Sequence, residues 1–456
     1  MIRRGPGGGT YTYRTVGASP TVMHVVIVTI DCGRADHFDG RSGLTPRLDE
    51  IRNEGTTFTA AFAQSQNTLS SHLSILTSNY LFQHGVYRNF VQCELPSHAV
   101  PLKLAEKGYD CAAFTGVHFL ARALGDQFTP FDTRYPHEGE PIMGRLRRWL
   151  RRDDGSRLPA ERSVGDGLSW LDGSSATDRF LWLHFFDTHM VYSASKELID
   201  RHAPTGRSER TCVEQIQEKG WFHSSYPALE QRVPLGHFPA RYRASVAHVD
   251  QQLGVLVDGL RERGLWDETL LIVTADHGEC LEGDHGLYCV HKKLYDTTVH
   301  VPLWIRFPGG AHAGVTVDGI VELVDVAPTI ARVTGYEEPL YMGRDLGAIA
   351  SGALPAREFA FAEHVDDLLR AMRDGEHVWV ETLPDRVNRS GFPLDEGSFF
   401  RRDGSVAREG CEESEARLEA AARELLSSRP EVAEAWGQRQ PVTEKIARQL
   451  RRLGYL

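Results

Sequence analysis

Four short clusters of acidic, imidazole and hydroxyl side chains carry the chemistry this sequence can do. Asp276-His277-Gly278-Glu279 follows the apolar run Ile272-Val273-Thr274-Ala275, and Asp31-Cys32-Gly33-Arg34-Ala35-Asp36-His37 follows Val25 to Ile30. Asp187-Thr188-His189 follows a third run, Phe180 to Phe186, and Thr68-Leu69-Ser70-Ser71-His72 sets a hydroxyl and an imidazole on one short stretch. A carboxylate and an imidazole adjacent where the chain leaves an extended run can turn into one site. Oxygen and nitrogen together suit zinc or manganese, whereas carboxylate alone suits calcium or magnesium. Taken singly, an Asp-His-Gly triplet is also an ordinary turn, since Asp and Gly are common turn formers. What raises these clusters above turns is their shared position at the ends of apolar runs.

Those runs must be the elements that position them. Val25-Val26-Ile27-Val28-Thr29-Ile30 is β-branched and unbroken, the pattern of a strand buried on both faces of a parallel sheet, and Thr269 to Thr274 repeats it. Helical stretches lie between, for example Arg243 to Arg263, with apolar residues three and four apart. Alternation of this kind predicts a layered α/β fold, in which ligands bind at the carboxyl ends of the strands. Asp31, Asp187 and Asp276 all fall there. After about Gly335 the pattern changes: Phe359 to Ala362 and His377 to Val380 read as strands of a small sheet, and Glu412 to Ser428 as a helix.

The chain has 456 residues, 41% hydrophobic and 25% charged, which is ordinary for a globular protein and long enough for a large domain plus a smaller one. A net charge of −11 argues against a general nucleic-acid binder. The seven cysteines form no C-x-x-C pair, so free thiols and a cytoplasmic location are the expectation. The apolar run at Val25 is too short to span a membrane, and no membrane partner is expected. Residues 1–20 read as a loose arm. The arginine-dense stretch Gly144 to Arg162 reads as a solvated helix face or as a cationic rim over an anionic substrate. Val442 to Leu456 reads as a basic amphipathic helix that packs on the main domain or on a second subunit of a homo-oligomer.

The ordered set of motifs resembles the alkaline phosphatase and sulfatase superfamily. Asp31 to His37 is similar to its first metal-binding segment, and Thr68 to Ser78 with His84-Gly85-Val86 to its nucleophile segment. Asp276 to Glu279 is similar to its second metal-binding segment, followed by Leu294-Tyr295-Asp296, Val301 to Gly309 and Val324 to Ile330 in family order. The resemblance implies a three-layer α/β/α sandwich with a mostly parallel central sheet, plus a small C-terminal α+β subdomain. The implied boundaries are a catalytic domain over 21–345, with insertions at about 135–165 and 195–240, and a subdomain over 346–456.

The same resemblance implies a divalent metal ion (zinc, manganese or calcium, at least one) held by Asp31, Thr68, Asp276 and His277. It places His189 and His291 as catalytic histidines, and Lys292, His72, His285 and Arg34 on the substrate, with Arg34 bracing the metal loop through aspartates as its other reading. The sequence departs from the sulfatase pattern where it matters most. Those enzymes carry C-x-P-x-R, whose cysteine becomes formylglycine; here Thr68, Ser70 and His72 stand at those positions. A threonine cannot follow that route, but metal coordination can activate its hydroxyl. Cys32 replaces a second aspartate, as a softer ligand or a small buried residue, and Val117 replaces a substrate lysine. The resulting expectation is a hydrolase of small anionic phosphate-type esters (phosphodiester, phosphomonoester or phosphonate) acting through a phospho-threonine. The alternatives are a phosphotransferase or mutase with the same nucleophile, a sulfatase lacking formylglycine, and a non-catalytic relative.

Overall fold

The computed structural model describes residues 23–132, 159–382, 399–402 and 411–427, apart from 90, 92, parts of 118–130, 203–205, 225 and 365–368. The N-terminal arm, most of the arginine-dense stretch and the basic tail expected from the sequence lie outside these residues.

The apolar runs form the middle of an eight-stranded sheet. Its members are β1 (His24–Ile30), β2 (Thr56–Phe62), β3 (Asp110–Thr115), β4 (Phe131–Asp132), β5 (Arg179–Phe185), β6 (Thr269–Ala275), β7 (His300–Arg306) and β8 (Thr316–Glu322), in the order β4-β3-β5-β1-β6-β7-β2-β8. All pairings are parallel except those of β7, which runs against both β6 and β2. Every residue of β1 and β6 is buried, which explains why their sequences do not alternate. Because β1, β2, β5 and β6 share one polarity, their carboxyl ends open on one edge.

Helices flank the sheet in two groups. The helices α1 (Pro46–Ile51), α2 (Thr68–Thr77), α3 (Pro159–Gly173), α4 (His237–Glu262) and α5 (Val326–Thr334) make up most of both layers. On one side α1 and α3 pack against the long α4; on the other α2 packs against α5. The three-layer arrangement matches the expectation, with element ends shifted by a residue or more. The largest shift is in α4, which starts six residues before the periodic stretch because His237 to Tyr242 carries its buried face onward.

The C-terminal strands β9 (Ala360–His364), β10 (Leu369–Arg373), β11 (His377–Thr382) and β12 (Phe399–Arg401) form a second, antiparallel sheet. Helix α6 (Glu412–Ser427) seats Leu418 and Ala422 against Phe361, Met372 and Trp379 of that sheet. Ala360, Ala362, Ala371 and Val378 pack on Ala60, Phe62 and Ile320 of the main sheet. Among the described residues, no helix is long and apolar enough to cross a membrane. All seven cysteines are free thiols.

Candidate active site

The open edge of the sheet gathers the predicted clusters. Asp31 leaves β1 and Asp276 leaves β6; the two strands pair in register up to Ile30 and Ala275, so the aspartates emerge side by side. Both are fully buried. Cys32 then takes a left-handed conformation (φ 59°), which turns its N–H onto Asp276 Oδ1 at 3.3 Å. The same oxygen accepts the His277 N–H at 2.8 Å. Gly278 is required next, because a Cβ there would lie 2.3 Å from the Thr297 carbonyl oxygen.

Thr68 arrives from β2 as the first residue of α2, a ten-residue helix whose amino end carries the positive pole of the backbone dipole. Its Oγ1 lies 3.4 Å from His277 Nε2. That nitrogen in turn lies 3.7 Å from Asp31 Oδ1 and 3.6 Å from Asp276 Oδ2. Ser71, one turn along α2, donates to the Asp276 carbonyl at 2.6 Å and locks helix to loop. The four residues expected at a metal are therefore brought together.

Electrostatics make the case for a cation at this point. Burial, and next the charge of Asp31, push the Asp276 carboxyl well above its ordinary value. Burial also opposes ionisation of Asp31, but the charges of His189 and His277 facing it help to hold it below the usual range. Two buried carboxylates in one cavity cannot both ionise cheaply without a counter-charge. Asp31 Oδ2 and Asp276 Oδ2 are buried with no hydrogen-bond partner, which a divalent cation would supply. The donor set fits such an ion.

The predicted catalytic histidines sit at the same place. His189 is buried and its Nδ1 meets the Met190 carbonyl at 2.8 Å; His291 Nδ1 meets the Gln66 carbonyl at 3.1 Å. Their rings are 5.4 Å apart, and that of His291 is 4.7 Å from His277. Cys32, His189 and His291 each offer a ligand atom within 4.8 Å of the others, as do Asp31, Cys32 and His277. Cys32 is thus part of the site, its thiol 3.3 Å from Asp31 Oδ1. Burial and then the neighbouring carboxylates keep that thiol protonated. Lys292 is half-buried, and its charge adds to the burial and the two histidines that press His291 well below its ordinary pKa.

Three side chains expected on the substrate are engaged with protein instead, Arg34 in the bracing role that was its other reading. His72 is buried under the site, with Nδ1 on the Thr68 carbonyl at 2.7 Å and Nε2 on Thr29 Oγ1 at 2.9 Å, so both nitrogens face protein. A histidine one helical turn after Thr68 points back along the helix, not out of it. Arg34 grips Asp36 at 2.7 Å, Asp284 at 2.8 Å and the Glu279 carbonyl at 3.2 Å, which makes it the brace between the two loops. His285 is exposed and stacked on Tyr295, with ring centroids 3.8 Å apart.

Sequence reasoning missed His184. It is fully buried on β5, paired with Thr29 of β1, and its Nε2 lies 3.4 Å from Asp31 Oδ2. The available signal was a lone imidazole inside Phe180-Leu181-Trp182-Leu183-His184-Phe185, a segment otherwise apolar.

Tyr242 of α4 also went unnoticed. Its hydroxyl accepts the Arg34 N–H at 3.0 Å and donates to the Cys32 carbonyl at 2.7 Å, pinning the left-handed turn. Replacing Tyr242 by Phe leaves both backbone groups unsatisfied in a buried place, so a loss of about 1–3 kcal/mol in unfolding free energy is expected by chemical denaturation.

The family model for sulfatases matches residues 23–336. The multifunctional alkaline phosphatase superfamily protein PehA of Trinickia caryophylli is 27% identical over 390 residues, covering 70% of this chain and 75% of that protein. Mouse arylsulfatase K is 25% identical over 372 residues, covering 72% of this chain and 65% of its own length. Among solved structures, the phosphonate monoester hydrolase of Agrobacterium radiobacter superposes with a TM-score of 0.66 at 20% identity, over 89% of this chain and 95% of that one. The matched segment contains every residue of the buried cluster described above, and the chain belongs to the sulfatase family within the alkaline phosphatase superfamily and is a hydrolase.

Proposed function

We propose that the protein hydrolyses phosphate-type esters, with Thr68 as the nucleophile and a covalent phospho-threonine between two half-reactions. The observation that carries this reading is a hydroxyl that cannot become formylglycine, Thr68 Oγ1, at the amino end of α2 and 3.4 Å from His277 Nε2, beside two buried aspartates. Members of the superfamily are metal-dependent, and Asp31, Asp276, His277 and Thr68 are the residues that would hold the ion here. When bound, the cation supplies Lewis acidity: it lowers the pKa of the threonine hydroxyl and offsets charge growing on the phosphoryl oxygens.

The protein's own groups do the rest. Thr68 Oγ1, its proton released to solvent beforehand, attacks phosphorus in line as the ester P–O bond breaks, and the α2 amino end faces the developing negative charge. His189 delivers a proton to the departing oxygen. Its Nδ1 contact with the Met190 carbonyl fixes the ring, so Nε2 is the nitrogen that exchanges the proton. Water then attacks the phospho-threonine, the Thr68 O–P bond breaks, and His189 takes up the proton it gave. Lys292 orients a phosphoryl oxygen, while His291, held neutral by burial with its Nδ1–H on the Gln66 carbonyl, turns an Nε2 lone pair to the site.

The name of the phosphonate monoester hydrolase points to phosphorus, that of arylsulfatase K to sulfate esters, and PehA is described as multifunctional. The test is turnover of aryl phosphodiester, phosphomonoester, phosphonate and sulfate substrates by metal-loaded protein. Phosphoester cleavage supports the proposal; activity confined to the sulfate overturns it. His189→Ala should slow esters with alkyl leaving groups by about 10²–10⁴-fold and p-nitrophenyl esters far less, because a good leaving group needs no proton. Equal losses on both would remove His189 from the acid role.

A further inference from the structure

His184 has no part in the reaction just described, yet it is fully buried against Asp31. The residue pairs with Thr29 across the parallel β1–β5 ladder, and Thr29 and Asp31 share a sheet face, so His184 reaches Asp31 from below. Its protonation pattern follows from the hydrogen bonds around Thr29. His72 Nδ1 must donate to the Thr68 carbonyl at 2.7 Å, which leaves His72 Nε2 as an acceptor in the neutral ring. That nitrogen is 2.9 Å from Thr29 Oγ1, so the single hydroxyl proton of Thr29 goes to His72. Trp182 Nε1, which can only donate, fills one lone pair of the same oxygen at 2.9 Å.

His184 Nδ1 lies 3.2 Å from Thr29 Oγ1 and 3.3 Å from the Thr29 carbonyl oxygen. Both are acceptors once the Thr29 proton is committed, so His184 carries its proton on Nδ1. Its Nε2 then presents a lone pair to Asp31 Oδ2 at 3.4 Å. His184 Nε2, Asp31 Oδ2 and Asp276 Oδ2 are each buried without a hydrogen-bond partner. The three residues also offer ligand atoms that all lie within 4.8 Å of one another. A lone pair and two carboxylate oxygens converging in a dry cavity repel unless something positive sits between them. An imidazole with Nδ1–H on a backbone carbonyl and Nε2 facing carboxylates is also how proteins prepare a histidine for a metal.

We propose that His184 is a metal ligand, its Nε2 joining Asp31, Asp276, His277 and the Thr68 oxygen around one cation. The inference rests on the cation site of the proposed function and extends it in one respect. Two imidazoles and two carboxylates make a mixed nitrogen–oxygen centre, which favours zinc or another first-row transition metal over calcium. A calcium site would draw its ligands from oxygen alone.

The test uses full-length protein stripped of metal and titrated with Co2+, followed by absorption, and with Zn2+ against a competing chelator. The variants are His184→Ala and His277→Ala. His184→Ala should shift the Co2+ ligand-field bands and weaken Zn2+ binding by about 10–100-fold or more, with little change towards Ca2+. An unchanged spectrum and affinity in His184→Ala, while His277→Ala loses Co2+ binding, overturns the inference and leaves the proposed site standing. If neither variant changes binding, both fail. Should His184→Ala not fold, zinc X-ray absorption on the wild-type protein decides: two imidazoles in the first shell support the assignment, and one overturns it.

Discussion

Thr68→Ala is expected to abolish ester hydrolysis, with kcat falling by at least about 10⁴-fold, while the circular dichroism spectrum and the melting curve change little. The reason is geometric. Thr68 is the first helical residue of α2, whose N-cap is Asn67, so alanine, the better helix former, costs the helix almost nothing. What is lost is the hydroxyl placed against His277, and with it the covalent intermediate. Thr68→Ser keeps the hydroxyl but frees χ1, and should retain a measurable fraction of the rate. Rapid-quench labelling with a 32P substrate should show a protein-bound phosphate that is acid-stable in the wild type and missing in Thr68→Ala. Substantial turnover by Thr68→Ala would mean that water attacks directly and that threonine is a bystander.

The second large effect is on stability when the cation is removed. Without it, Asp276 has a folded pKa well above the ordinary 3.8, owing to burial and then to Asp31. A carboxyl whose folded pKa is raised contributes its full stability below the unfolded pKa and loses it as pH rises through the folded value. Chelator-treated protein should therefore lose stability steadily as pH rises from about 4, by roughly 1.4 kcal/mol for each unit of pKa shift. Added metal should reverse the trend, since a ligand at 100 times its Kd contributes about 2.7 kcal/mol. Asp276→Asn should flatten the pH dependence of the stripped protein and remove the response to metal. A metal-independent melting temperature at pH 8 would argue that the two aspartates are satisfied by something other than a cation.

His72, His285 and, in its substrate reading only, Arg34 were placed by the same reasoning. Each lies within a motif near the nucleophile or a metal loop, and adjacency in the chain was taken as adjacency to substrate. Arg34 was the nearest to correct, since its pairing with Asp36 two residues on is visible in sequence; its second partner, Asp284, is 250 residues away. His72 is one helical turn from Thr68, and whether it faces out or in depends on where β1 and β5 lie beneath α2. His285 sits in the turn Asp284–Gly286 with a left-handed backbone (φ 54°), which sends its ring onto Tyr295.

The linear chain determined the layered α/β fold, the polarity of the active edge and six residues of the candidate site, His189 and His291 among them. Unbroken β-branched runs can be satisfied only by a sheet covered on both faces, and Asp31 and Asp276 end two of them. Thr68 and His277 were legible because their motifs are local, each fitting within a few residues of one turn. Tertiary structure alone decided the roles of His184, Tyr242, Cys32 and the three reassigned side chains. Their partners are Asp31, Arg34, Asp276, Thr29, Asp284 and Tyr295, and which lone pair or proton remains for chemistry depends on the hydrogen bonds already spent on those partners. A sequence records which groups are present; only the packed sheet and helices show which of them remain unsatisfied.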